Sequence, residues 1–278
     1  MTAITLHPEF AKQLERRGRL REQLVHLLEA EAELINHVGP YLEALYLEAL
    51  GQLELALLQQ QAENARLRRQ IELLRARLNR GESLDRKTME HITQQLEVEL
   101  TAWRHRLRAQ EQALKEAQAY RESPPLSRNE LEAIKALYRK LVRQLHPDMT
   151  GGESPAFRKY WHEVQRAYRG CDLAYLEILA EVVGQEDLRP SPEDPDIDLR
   201  TEIEKLERLL ANQAEKLARL RQQAPYCYEE RLRDESWIAA RQAGLREQIA
   251  VEEGQHARLS QALDGLLQQH VGETATLH

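Results

Sequence analysis

Aromatic side chains are scarce: they make up 5% of the 278 residues, and only two are Phe. Compact cores of this size draw much of their buried area from aromatics, so a single large globule is not expected. β-Branched residues occur only in short stretches, which leaves no case for a sheet. The two cysteines, Cys171 and Cys227, lie 56 positions apart and belong to no CxxC or Cys/His cluster. Two such thiols cannot form a disulfide framework, and they read as reduced and incidental. No segment holds eighteen uncharged apolar residues, and Met1–Phe10 has no basic stretch followed by an apolar one. The expectation is a soluble, cytoplasmic protein that neither enters a membrane nor is exported. There is no Ser/His/Asp set, no His/Cys/Asp cluster at metal spacing and no Gly-rich phosphate loop, since Gly151-Gly152 is too short. Catalysis, a metal and a cofactor are therefore not expected.

What is present is Leu, Ala, Glu, Gln and Arg with helical periodicity, and 31% of the chain is charged. That mixture predicts an all-α fold of long helices and coiled coil. The first helix spans 7–37 and stops at His37-Val38-Gly39-Pro40. From Leu50 to Leu78 a seam of Leu50, Leu53, Leu57, Gln60, Asn64, Leu67, Ile71, Leu74 and Leu78 steps by three and four. This is the a/d pattern of a coiled coil, with Gln60 and Asn64 as polar intrusions that either fix register or mark partial exposure. A turn at Arg80–Ser83, with Ser83 as a candidate N-cap, leads to a helix over 84–120. The short turn favours an antiparallel hairpin. Residues 185–198 form an acidic, Pro-rich linker. A second hairpin is expected over 199–269, with polar seam positions at Gln242, Glu252 and His256 on its return helix. By segment, 1–122 is helical and coiled coil, 123–184 a distinct module, 185–198 linker, and 199–278 a C-terminal coiled-coil hairpin and tail.

The net charge of −7 is uneven: Ser127–Gly170 has nine basic and five acidic residues, a net +4, which leaves −11 on the remainder. A basic island in an acidic chain suits an acidic partner surface. The acidic arms would be repelled by nucleic acid, so binding to DNA or RNA is not expected.

The central module starts at a capping box, Ser127 with Glu130. Leu131, Ile134, Leu137, Tyr138, Leu141 and Leu145 share a face of the helix that follows, decorated by Lys135, Arg139, Lys140 and Arg143. The helix ends at His146-Pro147-Asp148, because the residue before a proline is pushed out of the α region. A Gly-containing loop over Met149–Ser154 precedes a helix that opens at Pro155 and carries Phe157, Trp161, Val164, Ala167 and Tyr168. Tyr138, Trp161 and Tyr168 are expected in the core.

Leu137-Tyr138-Arg139-Lys140-Leu141, four residues, then His146-Pro147-Asp148 resembles the second helix and signature loop of the J-domain (DnaJ) family. Trp161-x-x-Val164-x-x-Ala167-Tyr168 is similar to that family's third helix. The resemblance covers about 55 residues, a fifth of the chain. It implies a co-chaperone that engages a DnaK-type heat-shock chaperone and stimulates its ATP hydrolysis. His146, Pro147 and Asp148 would press where the chaperone's ATPase domain, linker and peptide-binding domain meet, and Lys135, Arg139, Lys140 and Arg143 would dock on its acidic surface. The flanking coiled coils would serve targeting, an unidentified client or assembly, and a long seam can close on its own hairpin or on a second copy. The other reading is a coiled-coil scaffold that keeps the J-like hairpin only as a relic. The family's usual first helix, with its Tyr-x-x-Leu-Gly pattern, is missing just upstream, where Pro124-Pro125 stands. The run after Tyr168 differs as well, and no Gly/Phe-rich or zinc-binding repeat follows.

Overall fold

The structure, a computed structural model, describes residues 8–123, 126–185 and 199–275. Pro124-Pro125 and all but the first residue of the expected linker lie outside the described residues. The fold is all-α, with no strand among the described residues. In chain order the helices are α1 (Pro8–Glu33), α2 (Gly39–Tyr46), α3 (Gln52–Leu78), α4 (Arg86–Glu99), α5 (Thr101–Glu122), α6 (Arg128–Leu145), the single turn α7 (Pro147–Thr150), α8 (Pro155–Arg169), α9 (Leu173–Gln185), α10 (Leu199–Arg221) and α11 (Glu235–Ala275). Among the described residues no helix is long and apolar enough to cross a membrane.

These helices form two compact units, Met1–Tyr41 with Ser123–Cys227, and Leu42–Glu122 with Tyr228–His278. The division does not follow the segments expected from chain order. The N-terminal helix belongs with the central module, and the two C-terminal helices take upstream partners, each within its own unit. α10 lies along α1, and α11 lies along α3. The expected 199–269 hairpin is thus replaced by two pairings that are distant in sequence. Leu206 of α10 enters the core that α1 shares with α6, which fixes α10 on α1 by burial.

In the first unit α6 and α8 form a helical hairpin, and α9 covers both. Ile134, Tyr138, Leu141, Val142 and Leu145 of α6 are buried together with Val164, Ala167 and Tyr168 of α8 and Leu176, Leu179, Ala180 and Val183 of α9. The Tyr138 and Tyr168 rings stack at 4.1 Å between centroids. Leu131, expected on this face, is instead exposed one turn inside the helix N-terminus. Leu24, Val25, Leu28 and Ala32 of α1 complete the same core. A helix some hundred residues upstream thus supplies part of the core of the α6–α8 hairpin.

The expected break at 37–40 does not occur. Helix α1 passes into a π-helical turn, Leu34–Val38, in which the Gly39 N–H reaches back to the Leu34 carbonyl. Such a turn inserts one residue and loosens the ladder, so Gly39-Pro40 can open the next helical stretch. Leu34 O also accepts from the Tyr226 hydroxyl at 3.1 Å. A Cβ on Gly39 would stand 2.8 Å from that hydroxyl oxygen and 3.1 Å from the Leu34 carbonyl oxygen, so any larger residue would displace the Tyr226 ring.

In the second unit α3 packs on α4, α5 and α11. Helix α4 is capped by Asp85, whose side chain accepts from the Thr88 N–H at 2.8 Å, and not by Ser83. The expected 84–120 helix is interrupted at Leu100, where the backbone leaves helical geometry (φ −91°, ψ 12°). Leu74, Ile92 and Leu96 form the buried centre. Two of the polar seam positions meet: Asn64 Nδ2 donates to the Glu252 backbone carbonyl at 2.8 Å and to Glu252 Oε2 at 2.6 Å. Gln242 donates to the Ala49 carbonyl at 2.8 Å. Asn64 is 1% exposed, which decides between the two readings of that position in favour of a buried polar pair.

Leu24 is fully buried in a core whose other members are mostly on α6, α8 and α9. Leu24→Ala is expected to cost about 2–5 kcal/mol. It should lower the denaturation midpoint and speed amide exchange in α6 and α8, not in α1 alone.

Candidate docking site

His146 serves two helices at once. Its N–H donates to the Val142 carbonyl and closes α6, while its own backbone is extended (φ −65°, ψ 133°). Its carbonyl then accepts from the Met149 N–H at 2.8 Å and the Thr150 N–H at 3.0 Å, which starts α7. Pro147 takes the first position of that turn, where a missing N–H costs nothing. Gly151 ends it at φ +84°, a left-handed conformation that suits glycine. The expected loop therefore begins as a defined helical turn, which fixes the backbone from which the three side chains project. Ser154 caps α8 through the Phe157 N–H at 3.0 Å.

The His146 ring is itself a cap. Its Nδ1 accepts from the Asp148 N–H at 3.2 Å, an arrangement open only to the form with that nitrogen unprotonated. The ring meets Trp161 edge-on at 5.3 Å, and Trp161 stacks on Phe157 at 5.7 Å. Trp161 is half-buried beside the core and supports the imidazole. Burial lowers the His146 pKa below its ordinary 6.5, while the Asp148 carboxylate, 3.9 Å away, pulls the other way. Asp148 is 38% exposed, available to a cationic group of a partner. The turn is tied to α1 as well, since Arg21 donates to the Met149 carbonyl at 2.9 Å.

The four basic residues of α6 expected to dock divide into three and one. Lys135, Arg139 and Arg143 recur every four residues and face α1, where each finds a carboxylate. Lys135 meets Glu33 at 3.0 Å. Arg139 donates from one nitrogen to both oxygens of Glu29, at 2.9 and 3.1 Å. Arg143 clasps Glu22 with Nη2 at 2.6 Å and Nε at 3.3 Å. The Arg143 hydrogen bond holds the Glu22 carboxyl below the usual carboxylate range. Glu33 also accepts from the Tyr168 hydroxyl at 2.9 Å. Lys140, one residue off this stripe, is exposed.

Reading the sequence in segments missed Glu22, Glu29, Glu33 and Arg21, because nothing local to the central module points to α1. Their signal was present: acids at seven- and four-residue spacing beside the apolar positions Leu24, Leu28 and Ala32 of one helix. The surroundings of Cys171 were not legible either. This residue adopts φ +52°, unusual for a non-glycine, and its Sγ lies 3.6 Å from His37 Nδ1. Burial raises the thiol and lowers the imidazole pKa, so both are held neutral and the pair is a packing contact.

No family model, curated protein or solved structure matches this chain.

A ring-proton titration should place His146 below 6.5. Trp161→Ala, which opens the ring to water, should move it up toward 6.5, and Asp148→Asn should move it down. The folded pKa lies below the unfolded one, so the unfolded chain takes up the proton first. Stability of this unit should therefore fall as pH drops below about 6.5 toward the folded value.

Proposed function

We propose that this protein is a J-domain co-chaperone, which engages a DnaK-type heat-shock chaperone through His146, Pro147 and Asp148 and stimulates its ATP hydrolysis. The observation that carries the reading is the turn itself. His146-Pro147-Asp148 stands at the open end of a basic helix paired with a second helix, and its side chains are fixed by the His146 cap and the Trp161 ring. A pre-ordered turn has little conformational entropy left to lose on binding. Pro147 restricts it further, and Asp148 offers a carboxylate for a charge-assisted contact. The α1 helix supports the reading too, because together with α9 it closes the core of the hairpin. In this reading the bond chemistry belongs to the partner, and the second unit serves targeting or assembly.

One observation favours a scaffold with a relic J-like hairpin instead: three of the four basic residues expected to dock are already engaged by α1. The two readings part in single-turnover ATP hydrolysis by a DnaK-type chaperone, measured with the full chain and its His146→Gln variant. Stimulation by the parent that disappears in the variant supports the co-chaperone. No stimulation by either protein, with both folded by circular dichroism and several chaperones tried, leaves the scaffold.

A further inference from the structure

The apolar face of α1 is accounted for by the core: Leu24, Val25, Leu28 and Ala32 are buried whatever the neighbouring polar residues are. The acids beside them need another account. Glu22, Glu29 and Glu33 are matched one to one with Arg143, Arg139 and Lys135, in antiparallel order along the two helices. A stripe that would present three positive charges presents ion pairs. The cationic side chains nevertheless stay reachable: Lys135, Arg139 and Arg143 are 37%, 31% and 41% exposed. Long Lys and Arg stems can swing from one carboxylate to another while their helix stays in place. Beside the stripe the exposed Lys140 offers a free charge for first encounter.

We propose that Glu22, Glu29 and Glu33 are a built-in competitor, an intramolecular occupant of the α6 basic stripe that weakens its docking to an acidic protein surface. A partner overcomes it by exchanging carboxylate for carboxylate, with α1 remaining in the core. The proposal rests on reading that stripe as the docking face. Because the competitor belongs to the same folded unit, its effective concentration is high and independent of protein concentration. Docking is thereby restricted to surfaces that carry several carboxylates in register, since a single one gains little over the pair it breaks.

The test uses the full chain and its Glu22→Gln/Glu29→Gln variant, with a fluorescent polyglutamate peptide as a probe that requires no chaperone. The variant is expected to bind the peptide about three- to tenfold more tightly at low salt, as two neutralised acids unmask two cations. Adding Arg139→Gln/Arg143→Gln should abolish the gain. Unchanged or weaker peptide binding, with only a lower melting temperature, overturns the proposal and leaves the acids a purely structural role. A gain that survives the arginine changes overturns it too, because the effect would then be one of overall charge. Glu22→Gln alone, at a side chain 55% exposed, repeats the measurement if the double variant does not fold. In parallel, the chaperone concentration for half-maximal ATPase stimulation should fall by a similar factor. A peptide gain without chaperone stimulation by any variant upholds the competitor and removes the co-chaperone reading.

Discussion

Leu24, Val25, Leu28 and Ala32 form one apolar face of α1, and their burial against α6 is the contact on which the rest of the first unit depends. Residues on the two helices that touch are some 110 positions apart, as Glu29 and Arg139 are. Closing a loop of that length costs about 4 kcal/mol of chain entropy. Fully burying Leu24, Val25 and Leu28 contributes roughly 1.5–3 kcal/mol each, so the hydrophobic contact outweighs the closure. The three ion pairs, whose cations are 31–41% exposed, could not do so alone at about 0.2–1 kcal/mol each. The charges follow from the core contact: once the apolar faces meet, Glu22, Glu29 and Glu33 fall opposite Arg143, Arg139 and Lys135. The same placement brings Arg21 to the Met149 carbonyl and Glu33 to the Tyr168 hydroxyl.

The turn after α6 shows how a small number of local choices makes a rigid projection. A proline forces the preceding residue into extended backbone, and that residue, His146, uses both its carbonyl and its ring to cap the next turn. The ring can cap only while Nδ1 is free of a proton; burial against Trp161 favours the neutral ring, and the Asp148 N–H selects that tautomer. Shape and protonation state thus support each other. In the proposed function this defines what a partner meets: a fixed turn with an exposed carboxylate, beside a basic stripe already balanced by the chain's own acids.

The second unit obeys the same ordering of forces. Leu74, Ile92 and Leu96 provide its buried centre, while Asn64, with Glu252 and its backbone carbonyl, forms a polar contact inside the α3–α11 seam. A buried amide paired this way contributes little net stability, but it disfavours registers in which it would go unpaired.

Read from sequence alone, the protein was legible where the signal is local. Helical periodicity determined the all-α class. Ser127 with Glu130, Pro155, and His146 before Pro147 marked helix ends, because caps and proline act within a turn of themselves. Tyr138 and Tyr168 were recognisable as core from their place on apolar faces. What lay beyond the sequence was which helices meet. A heptad seam says that a face must be buried but not against what, so α10 was assigned to α11 when burial places it on α1. A π-turn let helix continue through Gly39-Pro40, where local rules predict a stop. The basic island called for an acidic surface, and only the tertiary structure decided that the chain supplies one itself, because that pairing depends on a core contact between helices more than a hundred residues apart.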